Sequence, residues 1–513
     1  MKHMKRIVSI VLALTMVLAM GIGAFAAEQK TITITDANYD SENPIEHKYE
    51  AYQILKGDVY GNELKNVVWG SAMKDAGQPV ATTVLEELAG LEGKDEIEAF
   101  VKKYNNDALP TTGAQKLTGS AGTYSVKVDT GYYLIKDEDG SLAGKDAAYT
   151  AYMFKVVKDV TSNAKSGKPE VDKQVEDKND ETGYREEADH YIGEHFKFKL
   201  KATIPADADL KEYKSYLVRF VDTMSTGLDF VEINSVTVNG TATDAYTTTP
   251  ATMTKDSRNW SLTIADVKAI AGEAFGNSAI EIVVEYTAKL NDNAVVSTAG
   301  TTTQSEKNTV KLEFSNNPNW NGNGEPPVGE TPEDHVFVFT YKFDNVKNFD
   351  GIAKDGSLPE GQKAVFEIQV NGAAVPLVKC DDETYRLAKE DDTNTVTTIE
   401  ITKNGQKFNI KGLDTGTYTV HEVSAPAGFN KAKDQSITIT ATHSENADGQ
   451  AATDVITMKN SADEDVTGLS FMNNQGVELP ETGGIGTTIF YVVGAMLAIG
   501  AAVVLVTKKR VNG

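Results

Sequence analysis

Leu413-Asp414-Thr415-Gly416-Thr417-Tyr418-Thr419-Val420-His421-Glu422-Val423-Ser424-Ala425-Pro426-Ala427-Gly428-Phe429 is the stretch that decides how the rest of the chain is read. Side chains on a β-strand alternate between its two faces, so Tyr418, Val420 and Glu422 share one side. Glu422 is thereby sent where the apolar residues point. A carboxyl group on an apolar face is costly unless it is paired or protonated. The competing outcome, a strand edge that lets the carboxylate reach water, is the usual fate of a glutamate.

The same period of two recurs on both sides of this stretch. In the region Val336 to Asn473 it marks Ala364 to Val370, Thr397 to Ile401, Thr417 to Val420 and Ile437 to Thr440. Upstream, from Val171 to Ser315, strand signals fall at Phe196 to Leu200, Leu217 to Val221, Ile280 to Tyr286 and Val310 to Phe314. A third region begins with Thr31-Ile32-Thr33-Ile34-Thr35, continues through Tyr49 to Tyr60 and Gly122 to Ile135, and ends near Val160. Within it Val84 to Leu88 and Ile97 to Tyr104 place apolar residues three and four apart, the helical spacing. Polar stretches rich in Gly and Pro separate the regions, at Thr161 to Pro169 and at Asn316 to Glu333. The expectation is a mainly β chain of three tandem immunoglobulin-like sandwiches, at 27–164, 165–330 and 331–478, with a short helical insertion in the first.

Both ends carry targeting signals. Lys2, Lys5 and Arg6 precede an uncharged run from Ile7 to Phe25, and Ala24-Phe25-Ala26 has the small-x-small form of a signal-peptide cleavage site, so residues 1–26 read as a secretory signal. At the other end, residues 479–513 begin with Leu479-Pro480-Glu481-Thr482-Gly483. Ile485 to Thr507 follows without a charge, and about twenty apolar residues suffice for a transmembrane helix. Lys508, Lys509 and Arg510 then form a positive-inside stop. The exported chain is expected to be tethered by its C-terminus and to face the outside.

Composition narrows the function. Fifty Lys and Arg against 74 Asp and Glu give a net charge of −24, which argues against nucleic acid as a partner. The single cysteine, Cys380, rules out an intrachain disulfide, so covalent reinforcement of an exported chain would need other chemistry. No zinc-ligand spacing, no Gly-x-Ser-x-Gly elbow and no phosphate-cradling loop is present, and no cofactor or metal is expected. His190 and His195 read as surface residues. The acid runs Asp381-Asp382-Glu383 and Asp391-Asp392 read as solvated loops rather than calcium sites.

The LPETG pentapeptide, span and basic tip resemble the cell-wall sorting signal of Gram-positive surface proteins, which sortase cuts between threonine and glycine, here Thr482 and Gly483. With the signal peptide and three β regions, the whole chain resembles the sortase-assembled major pilins. In that family a linker lysine accepts the threonine of the next subunit. Asn163-Ala164-Lys165-Ser166-Gly167-Lys168-Pro169 offers Lys165, although Ala164 stands where the family has proline and Lys168 is a nearby competitor. The opening stretch resembles the Cna-B pattern Leu-x-x-Gly-x-Tyr-x-Val-x-Glu followed by Ala-Pro-x-Gly-aromatic.

The resemblance implies that Glu422 promotes an amide bond between a lysine on the first strand of its domain and an asparagine on the last. Alternation favours Lys347 over Lys342, because Lys347 shares a face with Tyr341 and Phe343, and it favours Asn473 over Asn474. For the middle domain it implies Lys173 as amine, Asp222 as acid and Asn308 as acceptor, with Asn316 and Asn317 as alternatives. No triplet is expected in the first domain. The implied function is a pilus shaft joined from Thr482 to Lys165 of a neighbouring copy, anchored on peptidoglycan and supporting adhesion. Its partners would be sortase, further copies of itself, minor pilins and a host or bacterial surface receptor. The alternative is a wall-anchored monomeric adhesin or a tip or basal pilin. Beyond single-turnover bond formation, no enzyme activity is implied.

Overall fold

The computed structural model describes residues 29–476 except 37–38, 62, 90–93, 165–166, 180–181, 301–303, 390 and 444–455. The signal peptide, the expected span at Ile485 to Thr507 and the LPETG segment lie outside the described residues. Among the described residues, strand accounts for 49% and helix for 6%.

In the first domain, Lys30–Thr35 lies between antiparallel Thr123–Val128 and parallel Val160–Asn163. The second sheet is centred on Tyr49–Tyr60 and Gly131–Asp137. Ile32, Ile34 and Tyr124 from one sheet meet Tyr49, Tyr133 and Ile135 from the other in one apolar cluster. Helices Thr82–Ala89 and Lys94–Tyr104 turn Leu88, Phe100 and Val101 onto Trp69, giving this domain a second core beneath the insertion.

The middle domain is a sandwich of two large sheets. One carries Glu170–Asp177, His195–Ile204, Ile280–Leu290 and Leu228–Val238 side by side. The other carries Val218–Met224 between Asn259–Ile264 and Glu306–Ser315. Phe198, Leu200, Ile282 and Val284 from the first sheet interlock with Phe220, Leu262, Val310 and Leu312 from the second, all at most 1% exposed. In the third domain, Tyr341–Phe349 runs antiparallel to Asn409–Leu413 and parallel to Gly468–Asn473. Ala364–Val370, Gly416–Ser424, Gln435–Thr440 and Thr457–Asn460 make the opposing sheet.

Three segments differ from what alternation and polarity suggested. Val160–Asn163 is a strand beside Lys30–Thr35, which reduces the first linker to the residues between Ala164 and Glu170. The second polar stretch is partly structured: Val328–Glu330 pairs with the end of Glu306–Ser315, and Thr331 is buried. Asp334–Phe339, read as the start of the third domain, pairs with Glu306–Val310 in the middle domain's sheet. The strand breaks at buried Thr340, whose Oγ1 donates to Leu413 O at 3.0 Å. Alternation shows that Phe337 and Phe339 are inward-facing, but it is blind to which sheet supplies the neighbour.

Candidate functional site

Gly416–Ser424 is an interior strand, flanked by Ala364–Val370 on one side and Gln435–Thr440 on the other. Glu422 therefore has no edge by which to reach water and is fully buried. In the sheet across the core, Lys347 stands level with Phe471 on the parallel neighbour, and Asn473 stands level with Phe349. Both side chains are fully buried and project toward Glu422. Nζ of Lys347 contacts Oδ1 of Asn473 directly. Asn473 Nδ2 donates to Glu422 Oε1 at 2.9 Å, and Lys347 Nζ lies 3.7 Å from the same oxygen. The other carboxylate oxygen accepts from the Ala432 amide.

The surroundings are aromatic. Phe349 and Phe366 lie 5.1 and 5.4 Å from the Lys347 amine, measured to ring centres. Burial disfavours the ammonium form and brings the amine down to about 8, against the smaller opposing pull of Glu422. Lys342 is half-buried beside Asp344, at 3.5 Å, and Asn474 is exposed. The structure thus gathers Lys347, Glu422 and Asn473 and leaves the alternatives outside.

The middle-domain cluster is built differently. Lys173 and Tyr286 come from one sheet, Asp222 and Asn308 from the other, and the three ionic or amide groups are fully buried. Lys173 Nζ contacts Asp222 Oδ2 directly and lies 3.3 Å from the Tyr286 hydroxyl. That hydroxyl donates to Asp222 Oδ2 at 3.0 Å and accepts from Asn308 Nδ2 at 2.6 Å. Burial lowers the Lys173 amine and raises the Asp222 carboxyl, so both shifts favour the neutral pair. Among the described residues, Asp222 Oδ1 and Asn308 Oδ1 have no hydrogen-bond partner. Asn316 is buried too, but its amide donates to Leu142 O at 2.6 Å, away from this cluster.

Tyr286 is the member that sequence reasoning missed. Its signal was present, a hydroxyl-bearing residue on the inward face of Ile280–Leu290, but alternation gives it only the rank of a core aromatic. The Ala432 donor had no signal, since a backbone amide reaches Glu422 only once the loop after Gly428 has closed.

The remaining expected positions divide into two groups. Lys165, Leu479, Pro480, Glu481, Thr482 and Gly483 lie outside the described residues. Lys168 is described, and its Nζ is engaged by Asp146 Oδ2. The acid runs are engaged as well: Asp392 binds Arg386 at 2.6 and 2.9 Å, and Lys379 meets Asp382 at 3.1 Å. His195 is exposed, but His190 corrects the surface reading. It is fully buried, stacks 3.9 Å from Phe196 and meets Glu176 O at 2.8 Å, because the turn after Glu187–Asp189 folds back onto the sheet.

Residues 192–318 match the family model described as Gram-positive pilin backbone subunit 2, Cna-B-like domain. Residues 362–454 match a prealbumin-like fold domain, and residues 472–513 match the LPXTG cell wall anchor motif. No curated protein sequence matches the chain. Among solved structures, the T6 backbone pilin of Streptococcus pyogenes serotype M6 is similar over 88% of this chain and 100% of its own. The sequence identity there is 16% and the TM-score 0.50. The major pilin SpaA of Corynebacterium diphtheriae is similar over 87% of this chain and 100% of its own, at 13% identity and a TM-score of 0.44.

Proposed function

We propose that this chain, whose residues 192–318 match a Gram-positive pilin backbone model and whose C-terminus matches an LPXTG cell wall anchor, is a backbone pilin that polymerises through Lys165 and reinforces itself with two internal amide bonds. The observation that carries the reading is the Lys347–Glu422–Asn473 cluster, three polar side chains at 0% exposure in contact with one another.

Burial supplies the chemistry. The neutral Lys347 amine attacks Cγ of Asn473, a new Nζ–Cγ bond forms and the Cγ–Nδ2 bond breaks. Glu422, within reach of both nitrogens, takes the proton from Nζ and returns it to Nδ2, which leaves as ammonia. Holding the reactants in contact is worth roughly 7–11 kcal/mol of barrier, so no external catalyst is required. In the middle domain Asp222 performs the transfer between Lys173 and Asn308, with the Tyr286 hydroxyl bridging amine and carboxamide. Each domain reacts once.

Between subunits, sortase cleaves after Thr482, and Lys165 of another copy resolves the acyl intermediate. A Thr482–Lys165 bond repeated head to tail gives an open fibre, since the contact does not close on itself. Lys168 is a poorer nucleophile for this step because Asp146 already holds its amine. The finished shaft, attached to peptidoglycan, carries the cell's adhesive contacts.

Intact mass and gel migration test both parts. The purified chain should weigh two ammonia molecules less than its sequence requires. Fibres should run as a ladder that survives boiling in detergent, and Lys165→Ala should abolish it while Lys168→Ala leaves it intact. A full-weight chain, or a ladder that persists in Lys165→Ala, would sink the proposal.

A further inference from the structure

The strand that carries Lys173 ends in a second inward-facing charge. Lys173, Val175 and Asp177 share the buried face of Glu170–Asp177, and Asp177 is 2% exposed. Its Oδ1 accepts from the Asn179 amide at 3.1 Å, whereas Oδ2 has no hydrogen-bond partner. Asp189, fully buried on Glu187–Asp189, lies beside it. His443, from the third domain just past Gln435–Thr440, places Nε2 3.1 Å from Asp189 Oδ2. One ligand atom from each of Asp177, Asp189 and His443 falls within 4.8 Å of the other two, and all three residues are buried.

Two buried carboxylates so close repel one another, and a buried carboxylate oxygen without a donor is unfavourable by itself. Hydrogen bonding satisfies only Asp189: Tyr341 donates to Oδ2 at 3.0 Å, Thr415 to Oδ1 at 3.2 Å, and the carboxyl of Asp414, held protonated by burial and by Asp189 itself, is a further hydrogen-bond partner. Among the described residues, no lysine or arginine pairs with Asp177 or Asp189, and Asp189 meets His443 instead. A cation centred between the three side chains would fill the free lone pair of Asp177 and offset the repulsion.

We propose that Asp177, Asp189 and His443 form a binding site for a divalent transition-metal cation of the zinc class, which fastens the middle domain to the third. The donor set selects the class. Calcium and magnesium take oxygen ligands, whereas carboxylate with imidazole suits zinc and its neighbours. Such an ion would hold its ligands at about 2.0–2.2 Å. Three protein ligands leave one position for water. Tyr341 and Thr415 then act as outer partners that orient Asp189. Two ligands belong to the middle domain and one to the third, so the ion would resist bending at the joint where the chain crosses Thr340.

The test is a calorimetric titration of the intact purified chain, stripped with chelator, using zinc chloride and in parallel calcium chloride. One equivalent of zinc per chain is expected, with a rise in melting temperature and no competition from calcium. Asp177→Asn and His443→Gln should each weaken zinc binding at least tenfold. Asp177→Asn has a further signature: it removes an unpartnered buried charge, so without zinc it should melt no lower than the parent, yet lose the zinc-dependent rise. Absence of stoichiometric zinc uptake by the parent chain overturns the proposal. So does undiminished uptake by both variants, or calcium binding more tightly than zinc.

Discussion

The middle and third domains bring an amine, an acid and a carboxamide together by different routes. In the third, Lys347 and Asn473 sit on adjacent parallel strands of one sheet, and Glu422 reaches them from the other. In the middle, Lys173 belongs to one sheet while Asp222 and Asn308 belong to the other, with Tyr286 between them. The proposed chemistry needs only convergence in a dry core, so either strand plan serves it. The mechanical result does depend on the plan. In the third domain the residues proposed to crosslink lie at the end of the entering strand and at the last residue of the leaving one, so tension would bypass everything between. In the middle domain the proposed crosslink would stop at Asn308, while the chain leaves only after Phe339. The first domain, which precedes Lys165, would hang outside the loaded path; among the described residues it buries no asparagine.

The largest expected effect comes from removing each acid in turn. Asp222→Ala and Glu422→Ala should each lose one crosslink and weigh one ammonia, rather than two, less than their own sequences require. By analogy with disulfides, closing a loop of about a hundred residues is worth ~4–5 kcal/mol. Asp222→Ala additionally leaves the unreacted Lys173 amine buried without the carboxyl group that it touches, and a buried polar group that loses its partner typically costs about 1–3 kcal/mol more. Lys347 lies 3.7 Å from its acid and keeps contact with Asn473, so Glu422→Ala should be the milder change. Scanning calorimetry with mass spectrometry checks this; an inverted order would show that the two clusters are not used as described.

Pulling on the fibre sharpens the contrast. Beyond Asn308 no proposed crosslink holds the loaded chain, only strand pairing and core packing: it runs through Ser315 and the polar stretch, then returns as Asp334–Phe339 beside Glu306–Val310. Those roughly thirty residues extend by at most about 100 Å once the pairing opens. Single-molecule stretching of crosslinked fibres should therefore give one reversible step of at most this size per subunit, assigned to the middle domain. A fibre with no such step would place the load elsewhere.

How much of this was legible in the sequence depends on the kind of feature. The inward faces were: Tyr418, Val420 and Glu422, or Leu469, Phe471 and Asn473, follow from alternation alone and are buried as read. The helices beside Trp69 also followed from their spacing. Partners across space were not. Nothing local tells Asp334–Phe339 to join the preceding sheet rather than the following one. His190 was misread for the same reason, because its burial comes from a turn folding over Phe196 rather than from its immediate neighbours. Asp177, Asp189 and His443 are scattered through the sequence, and their meeting depends on how two domains abut.

Tyr286 permits the smallest and most selective intervention. In the third domain the amine already touches the carboxamide oxygen, whereas in the middle domain the Tyr286 phenol connects Lys173 and Asn308. Tyr286→Phe keeps the ring against Phe198 and Trp260 while deleting the bridge, so folding should survive with little loss. If the hydroxyl carries the proton between Asp222 and the departing nitrogen, its removal should slow middle-domain bond formation by roughly 10²-fold or more, the usual contribution of a positioned proton donor. The third domain should react as before. Time-resolved mass spectrometry of freshly made chain would show one ammonia lost promptly and the second with delay. Prompt loss of both would reduce Tyr286 to a core aromatic and leave Asp222 to act on Asn308 unaided.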